Sequence, residues 1–194
     1  MRYGTAPADG TELASLDSPE LGDVIRIINK HSNNVMARTL LLTLGAERGL
    51  RPATVASSDA VATRVLAEQG LPMTGLVLDN GAGLARDARV SAGDLAALLG
   101  TAWKSPYMPE FVSSLAILGE DGTVKKRLRH GQAAGRAHLK TGTLRDVRAM
   151  AGYVTGASGK RYIVVFLLNN EKADEKAGAL RYFDDALVAW LARR

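Results

Sequence analysis

His138-Leu139-Lys140-Thr141-Gly142-Thr143-Leu144 reads as a short strand that carries a working lysine. Threonine and leucine in alternation favour an extended backbone, and Gly142 removes a side chain where another backbone or a ligand must come close. A lysine beside such a gap can set a point charge on a bound carboxylate or lower the pKa of a neighbouring hydroxyl. The tripeptide alone also fits an edge strand whose solvated lysine discourages aggregation.

Working outward, residues 148–155 and Arg161–Asn169 read as two further strands, joined by a hairpin turn at Gly156-Ala157-Ser158-Gly159. The unbroken apolar run Ile163-Val164-Val165-Phe166-Leu167-Leu168 predicts a central strand covered on both faces. A last helix over 172–192 sets Leu180, Phe183, Leu187, Val188 and Trp190 against that sheet.

The rest of the chain is mostly helical in pattern. Residues 1–12 form a polar, flexible lead-in, with a short strand expected at 11–16. Asp17-Ser18-Pro19-Glu20 combines a polar cap, a proline and an acidic first turn, so a helix is expected to about Lys30, with Leu21, Val24, Ile25 and Ile28 on one face. His31-Ser32-Asn33-Asn34 is a polar link between two apolar helical patterns, the second with Val35, Met36, Thr39, Leu40 and Leu44 inward. Ser32 and Asn34 either point into a cleft or, with Asn33, cap helix ends. Residues 45–56 read as a loop, and 57–70 as a helix closed by glycine. Asp79-Asn80-Gly81-Ala82-Gly83-Leu84-Ala85-Arg86-Asp87 is a tight, shaped loop without phosphate-loop spacing. Ser91 and Asp94 open a helix to about Trp103, residues 106–118 form another, and Glu120-Asp121-Gly122-Thr123 is a turn.

With 194 residues, 46% hydrophobic and 23% charged, the chain has ordinary globular composition. It has no cysteine, so disulfides and thiolate chemistry are excluded. His31, His130 and His138 lack ligand-like spacing, and neither metal nor cofactor is expected. The net charge of +5 and the basic run Lys125, Lys126, Arg127, Arg129, Arg136 and Lys140 permit an anionic partner. No aromatic residue is interleaved with that run, so a solvated loop is expected there and nucleic acid is not. No stretch reaches the about 20 apolar residues of a membrane span, and none reads as a signal peptide.

Ser32-x-Asn34 followed by Lys140-Thr141-Gly142 stands in the order of the active-serine penicilloyl enzymes, whose signature is Ser-x-x-Lys, Ser-x-Asn and Lys-Thr-Gly. With Ser18-Pro19-Glu20-Leu21, Asn29-Lys30-His31-Ser32-Asn33-Asn34, Leu44-Gly45, the glycine loop 79–86 and Asp121-Gly122-Thr123, the chain resembles the C-terminal half of the DacB-type D-alanyl-D-alanine carboxypeptidases, the type-4 penicillin-binding proteins. The resemblance runs from about Leu13 to Leu191.

It implies an α/β (α+β) fold in which an antiparallel sheet is packed by helices, residues 13–194 being the C-terminal part of a transpeptidase-like domain. It implies a serine hydrolase acting on peptidoglycan stem peptides, acylated by beta-lactams and periplasmic, with its signal peptide outside this chain. Ser32 would relay a proton, Asn34 hold the substrate amide and Lys140 bring positive charge to the terminal carboxylate. Thr141 would donate to that carboxylate, Gly142 admit the peptide beside the strand, and the Thr143 N–H form one arm of the oxyanion hole.

Two departures accompany it. Asn80, Ala82 and Ala85 stand where the family's glycine loop has Gly, Ser and Ser. None of the ten serines is followed three positions on by lysine, so the nucleophile and its activating lysine are absent. A C-terminal piece of a longer enzyme is expected, its partner being the N-terminal part, with the nucleophile between Ser32 and Lys140. The alternative is a non-catalytic remnant that binds muropeptides or beta-lactams. Exposed apolar surface, oligomerisation or strand exchange would follow from a partial sheet.

Overall fold

A computed structural model describes residues 9–171, 173 and 177–194. Its centre is an antiparallel sheet of four strands, β1 (Ala116–Ile117), β2 (Ala137–Thr143), β3 (Val147–Thr155) and β4 (Arg161–Asn169), in the order β1-β2-β3-β4. The β2–β3 and β3–β4 hairpins need only short connections, and the period of two sends alternate side chains to opposite faces. Leu139, Met150, Val154 and Val164 pack on one face with Val188 and Leu191 of α6 (Ala177–Ala192). Tyr153, Ala151 and Val165 pack on the other, against Leu99 and Trp103 of α4 (Ala92–Lys104) and Phe111 of α5 (Met108–Ser114). Each large side chain so buried contributes roughly 1.5–3 kcal/mol, and the two layers hold the sheet between them. Burial pushes the Tyr153 phenol up to about 12, and its hydroxyl donates to the Leu99 carbonyl at 2.7 Å.

The remaining helices are α1 (Leu21–His31), α2 (Asn34–Glu47) and α3 (Val55–Glu68), with α1 packed on α5 and α2 on α3. Several expectations are corrected. Residues 11–16 form no strand; Leu13 and Leu16 are 95% and 98% exposed. Helix α1 starts after Glu20, whose side chain makes no cap, so Pro19 precedes the helix. Val35 and Thr39 face solvent, and the buried positions of α2 are Leu41 and Gly45. Gly45 lies inside α2 because a Cβ there would sit 2.2 Å from Ser58 Oγ of α3: it permits close helix packing and does not break the helix. Helix α3 starts at Val55 through a Thr54/Ser57 capping box. Residues 116–117 leave the expected helix to form β1.

The apolar β4 is not central in the described sheet. It is the outer strand, covered by α4 and α6 on its faces. The start expected for α6 at Lys172 lies outside the described residues, and Phe183 and Trp190 are 57% and 46% exposed. Asp184 occupies the inward stripe in their place and is fully buried.

Asp184 accepts from Arg127 and, at 3.4 Å, from Arg148 Nε, while Asp185 accepts from Arg127 Nε at 2.7 Å. Burial and the Asp185 charge push the Asp184 carboxyl above its ordinary value against the pull of both guanidiniums. Removing it leaves the buried Arg148 guanidinium without a carboxylate and Arg127 with Asp185 alone. Asp184→Ala is therefore expected to destabilise the chain by about 3–5 kcal/mol in chemical denaturation, with Asp184→Asn milder; a loss below about 1 kcal/mol would contradict this account.

Candidate active site

Helix α1 ends in a sharp reversal that presents Ser32. The residue adopts the left-handed conformation (φ 54°, ψ 47°) and its N–H bonds the Ile28 carbonyl. For a serine this conformation costs about 1–2 kcal/mol, so the surroundings must hold it. Asn33 opens α2 by accepting from Met36 N–H at 3.0 Å. Lys30 Nζ donates to Asp121 Oδ2 at 2.5 Å, and Asn29 Nδ2 to Ser114 Oγ at 2.8 Å, pinning the last turn of α1 to the sheet side. Burial raises the Asp121 carboxyl, but hydrogen bonds from Lys30 and the Ile117 N–H, with the Lys30 and His138 charges, outweigh it and hold the group below its ordinary value. The two readings of the polar link thus divide between neighbours: Asn33 is the cap, and Ser32 faces a cleft.

From the strand side, Lys140 Nζ donates to Ser32 Oγ at 2.6 Å and to the Thr141 carbonyl at 2.8 Å. A third ammonium hydrogen remains, and among the described residues no carboxylate pairs with Lys140. Burial pulls its pKa below the ordinary lysine value. Strand β1 pairs only with Leu139 and His138, so the outer edge of β2 from Lys140 to Thr143 has no strand partner among the described residues. A Cβ on Gly142 would meet only Ala149 at 3.5 Å, an ordinary contact. Nothing within the sheet therefore demands glycine there.

The two threonines face the other side of β2. Thr141 Oγ1 pairs with Thr123 Oγ1 at 3.0 Å, and Thr143 Oγ1 accepts from Arg148 Nη1 at 3.2 Å. Arg148 is in turn held by Asp184. The resulting cleft, about 900 Å³, brings together Ser32, Asn34, Lys140, Thr141, Gly142 and Thr143. Ala82, Gly83 and Leu84 of the glycine loop form its rim. That loop is tied to the β2–β3 turn by Arg86, whose Nη1 donates to both Asp146 oxygens at 2.6 and 2.5 Å.

All six residues singled out from sequence thus meet in one cleft. Sequence reasoning missed Arg148 and Asp184 and gave Thr123 no role beyond its motif; of the basic run it read as a solvated loop, Lys125 and Lys126 are exposed in a turn and also line the cleft, whereas Arg127 joins the buried ion network. The available signal was spacing: Asp184 stands four and seven positions before Val188 and Leu191, on the apolar stripe of α6, where an acid requires a buried cation.

The model of the D-Ala-D-Ala carboxypeptidase 3 (S13) family matches residues 1–194. A D-alanyl-D-alanine carboxypeptidase of Actinomadura sp. (strain R39) is 34% identical over 178 residues, 86% of this chain and 32% of the relative. The DacB D-alanyl-D-alanine carboxypeptidase of Haemophilus influenzae is 27% identical over 84% of this chain and 34% of its own length. The chain thus spans about a third of the length of these curated relatives. The crystal structure of penicillin-binding protein 4 (dacB) from H. influenzae, complexed with a beta-lactam, superposes with a TM-score of 0.79 at 24% identity, over 89% of this chain and 41% of that one. A class A beta-lactamase from Bacteroides cellulosilyticus gives 0.61 at 19% identity, over 87% and 62%, so the fold is that of the transpeptidase and beta-lactamase enzymes.

Because the folded chain holds the Lys140 proton less tightly than the unfolded one, the energetic cost of burying the charge is largest at neutral pH. It is relieved as pH rises through the folded pKa toward the ordinary value near 10.5. An NMR titration of the Lys140 Cε resonance is expected to show a midpoint below that value, lower still in Ser32→Ala, which removes an acceptor of the charged form. An unshifted midpoint would contradict the buried placement.

Proposed function

The chain belongs to the D-Ala-D-Ala carboxypeptidase 3 (S13) family, and from that premise we propose that it forms one side of a serine-type D-alanyl-D-alanine carboxypeptidase and endopeptidase site acting on peptidoglycan stem peptides. The observation that carries this reading is the Lys140–Ser32 bond at 2.6 Å beside the edge of β2 that has no strand partner among the described residues. An extended peptide can add to that edge as a further strand, its backbone lying over Gly142 where a side chain would intrude. Lys140 supplies the charge and Thr141 and Thr143 the hydroxyls for its terminal carboxylate. Because Arg148 already donates to Thr143 Oγ1, the hydroxyl proton of Thr143 is left to point at an acceptor in the cleft.

The attacking serine and its activating lysine come from a segment other than this chain. The attacking hydroxyl would enter the cleft beside Ser32 and Lys140, within reach of the bond that joins them. Ser32 both accepts from Lys140 and donates, so it can pass a proton toward the departing amine, while Asn34 at the start of α2 holds the substrate amide. The Thr143 N–H stabilises the oxyanion, a contribution worth about 3–4 kcal/mol for one such donor. The outer edge of β4 is where strands of the longer enzyme would continue the sheet. Residues 13–194 are then the C-terminal part of a penicillin-binding domain that works on the cell-wall side of the membrane, in the periplasm. The absence of Ser-x-x-Lys favours a second reading, a remnant that binds muropeptides or beta-lactams without reacting.

Labelling with a fluorescent penicillin, followed by denaturing electrophoresis, separates these. With a polypeptide carrying the Ser-x-x-Lys region added, label is expected on that polypeptide alone, with its rate of appearance falling about 100-fold in Lys140→Ala or Ser32→Ala. Label on this chain would overturn the split site, and no label on either would favour the binding remnant.

A further inference from the structure

The cleft carries more positive charge than one terminal carboxylate can use. Among the described residues its cationic lining is Lys125, Lys126, Arg127, Lys140, Arg148 and Arg181, set against one acid, Asp185. The buried carboxylates account for two of these, since Asp184 binds both Arg127 and Arg148, and Asp185 binds Arg127. Among the described residues no acid pairs with Lys125, Lys126 or Arg181.

One exposed lysine is ordinary, because water solvates it well. The convergence is what matters here. Lys125 and Lys126 follow the 3-10 turn Gly122–Val124, while Arg181 comes from the first part of α6, 55 residues after Lys126. Two separate segments therefore bring like charges to one concave surface whose acid is already paired. The Thr123–Thr141 hydroxyl contact at 3.0 Å fixes where this surface stands, immediately past the strand that would hold the terminal carboxylate. A concave wall of one sign focuses the field and favours a ligand of opposite charge.

Resting on the reading of the cleft given above, we propose that it selects peptides whose departing residue carries a second carboxylate, received by Lys125, Lys126 and Arg181, while Lys140 and Thr141 take the terminal one. The preferred leaving segment is then an acidic amino acid with two free carboxylates, and a departing D-alanine leaves Lys125, Lys126 and Arg181 without an anion.

The test uses this chain and two peptides of the same shape, Nα-acetyl-D-Ala-D-Glu and Nα-acetyl-D-Ala-D-Gln, with affinities measured by NMR titration. At low ionic strength the glutamate peptide is expected to bind about five- to ten-fold more tightly, with the ratio falling below about two-fold at roughly 0.5 M salt. The Lys125→Gln, Lys126→Gln, Arg181→Gln triple variant is expected to bring the ratio to about one. Should that variant fail to fold, the salt dependence of the unaltered chain decides. Equal binding of both peptides at low salt would overturn the charge selection and leave the peptidase reading standing. Binding of neither would overturn both. A glutamate preference that survives salt and the triple variant would overturn the assignment to these three residues.

Discussion

A half-buried ammonium with no carboxylate partner among the described residues is the constraint on which this structure turns. Burial pulls the Lys140 pKa down, and among the described residues the ammonium donates to Ser32 Oγ and the Thr141 carbonyl. Such a group is stable only if its neighbours are held firmly, and they are. Ser32 is fixed in the left-handed conformation by the last turn of α1, which is pinned to the sheet side through Lys30–Asp121 and Asn29–Ser114. Lys140 is fixed by its full pairing with β3. The bond therefore joins a helical layer to a sheet across 108 residues of sequence, and the cleft exists because both partners arrive there.

The opposite face of the sheet follows the reverse rule. There the cations are neutralised inside the protein, with Asp184 buried against Arg127 and Arg148. The network carries little net charge, so its value lies in position. Through Arg148 it sets the Thr143 hydroxyl, and through Arg127 it anchors the segment that bears Lys125 and Lys126 at the mouth of the cleft. The same strand thus presents a free charge on one side and hydroxyls oriented by paired charge on the other.

Much of this was legible in the sequence, for identifiable reasons. The strands around Lys140 and the hairpin at 156–159 follow from alternation and glycine-rich turn chemistry, which act locally. The Ser91 cap and the α4 helix that follows are equally local. What was not legible depends on partners remote in the chain. Gly45 resembles a helix terminator until Ser58 is placed against it. The two-residue β1 has no periodicity of its own and exists only because β2 is beside it. The apolar β4 was read as central because a strand covered on both faces looks the same whether or not both of its edges are paired. The six cleft residues were found through motif order and not through any local pattern, whereas Arg148 and Asp184, which support them, belong to no motif.

The most direct measurement is a structure of the chain with a bound Nα-acyl-D-alanyl-D-alanine peptide. The account predicts an extended peptide along the outer edge of β2, its terminal carboxylate within hydrogen-bonding distance of Lys140 and Thr141 and its backbone packed over Gly142. A peptide seated away from that edge, or one that leaves Lys140 without an anionic partner, would contradict it.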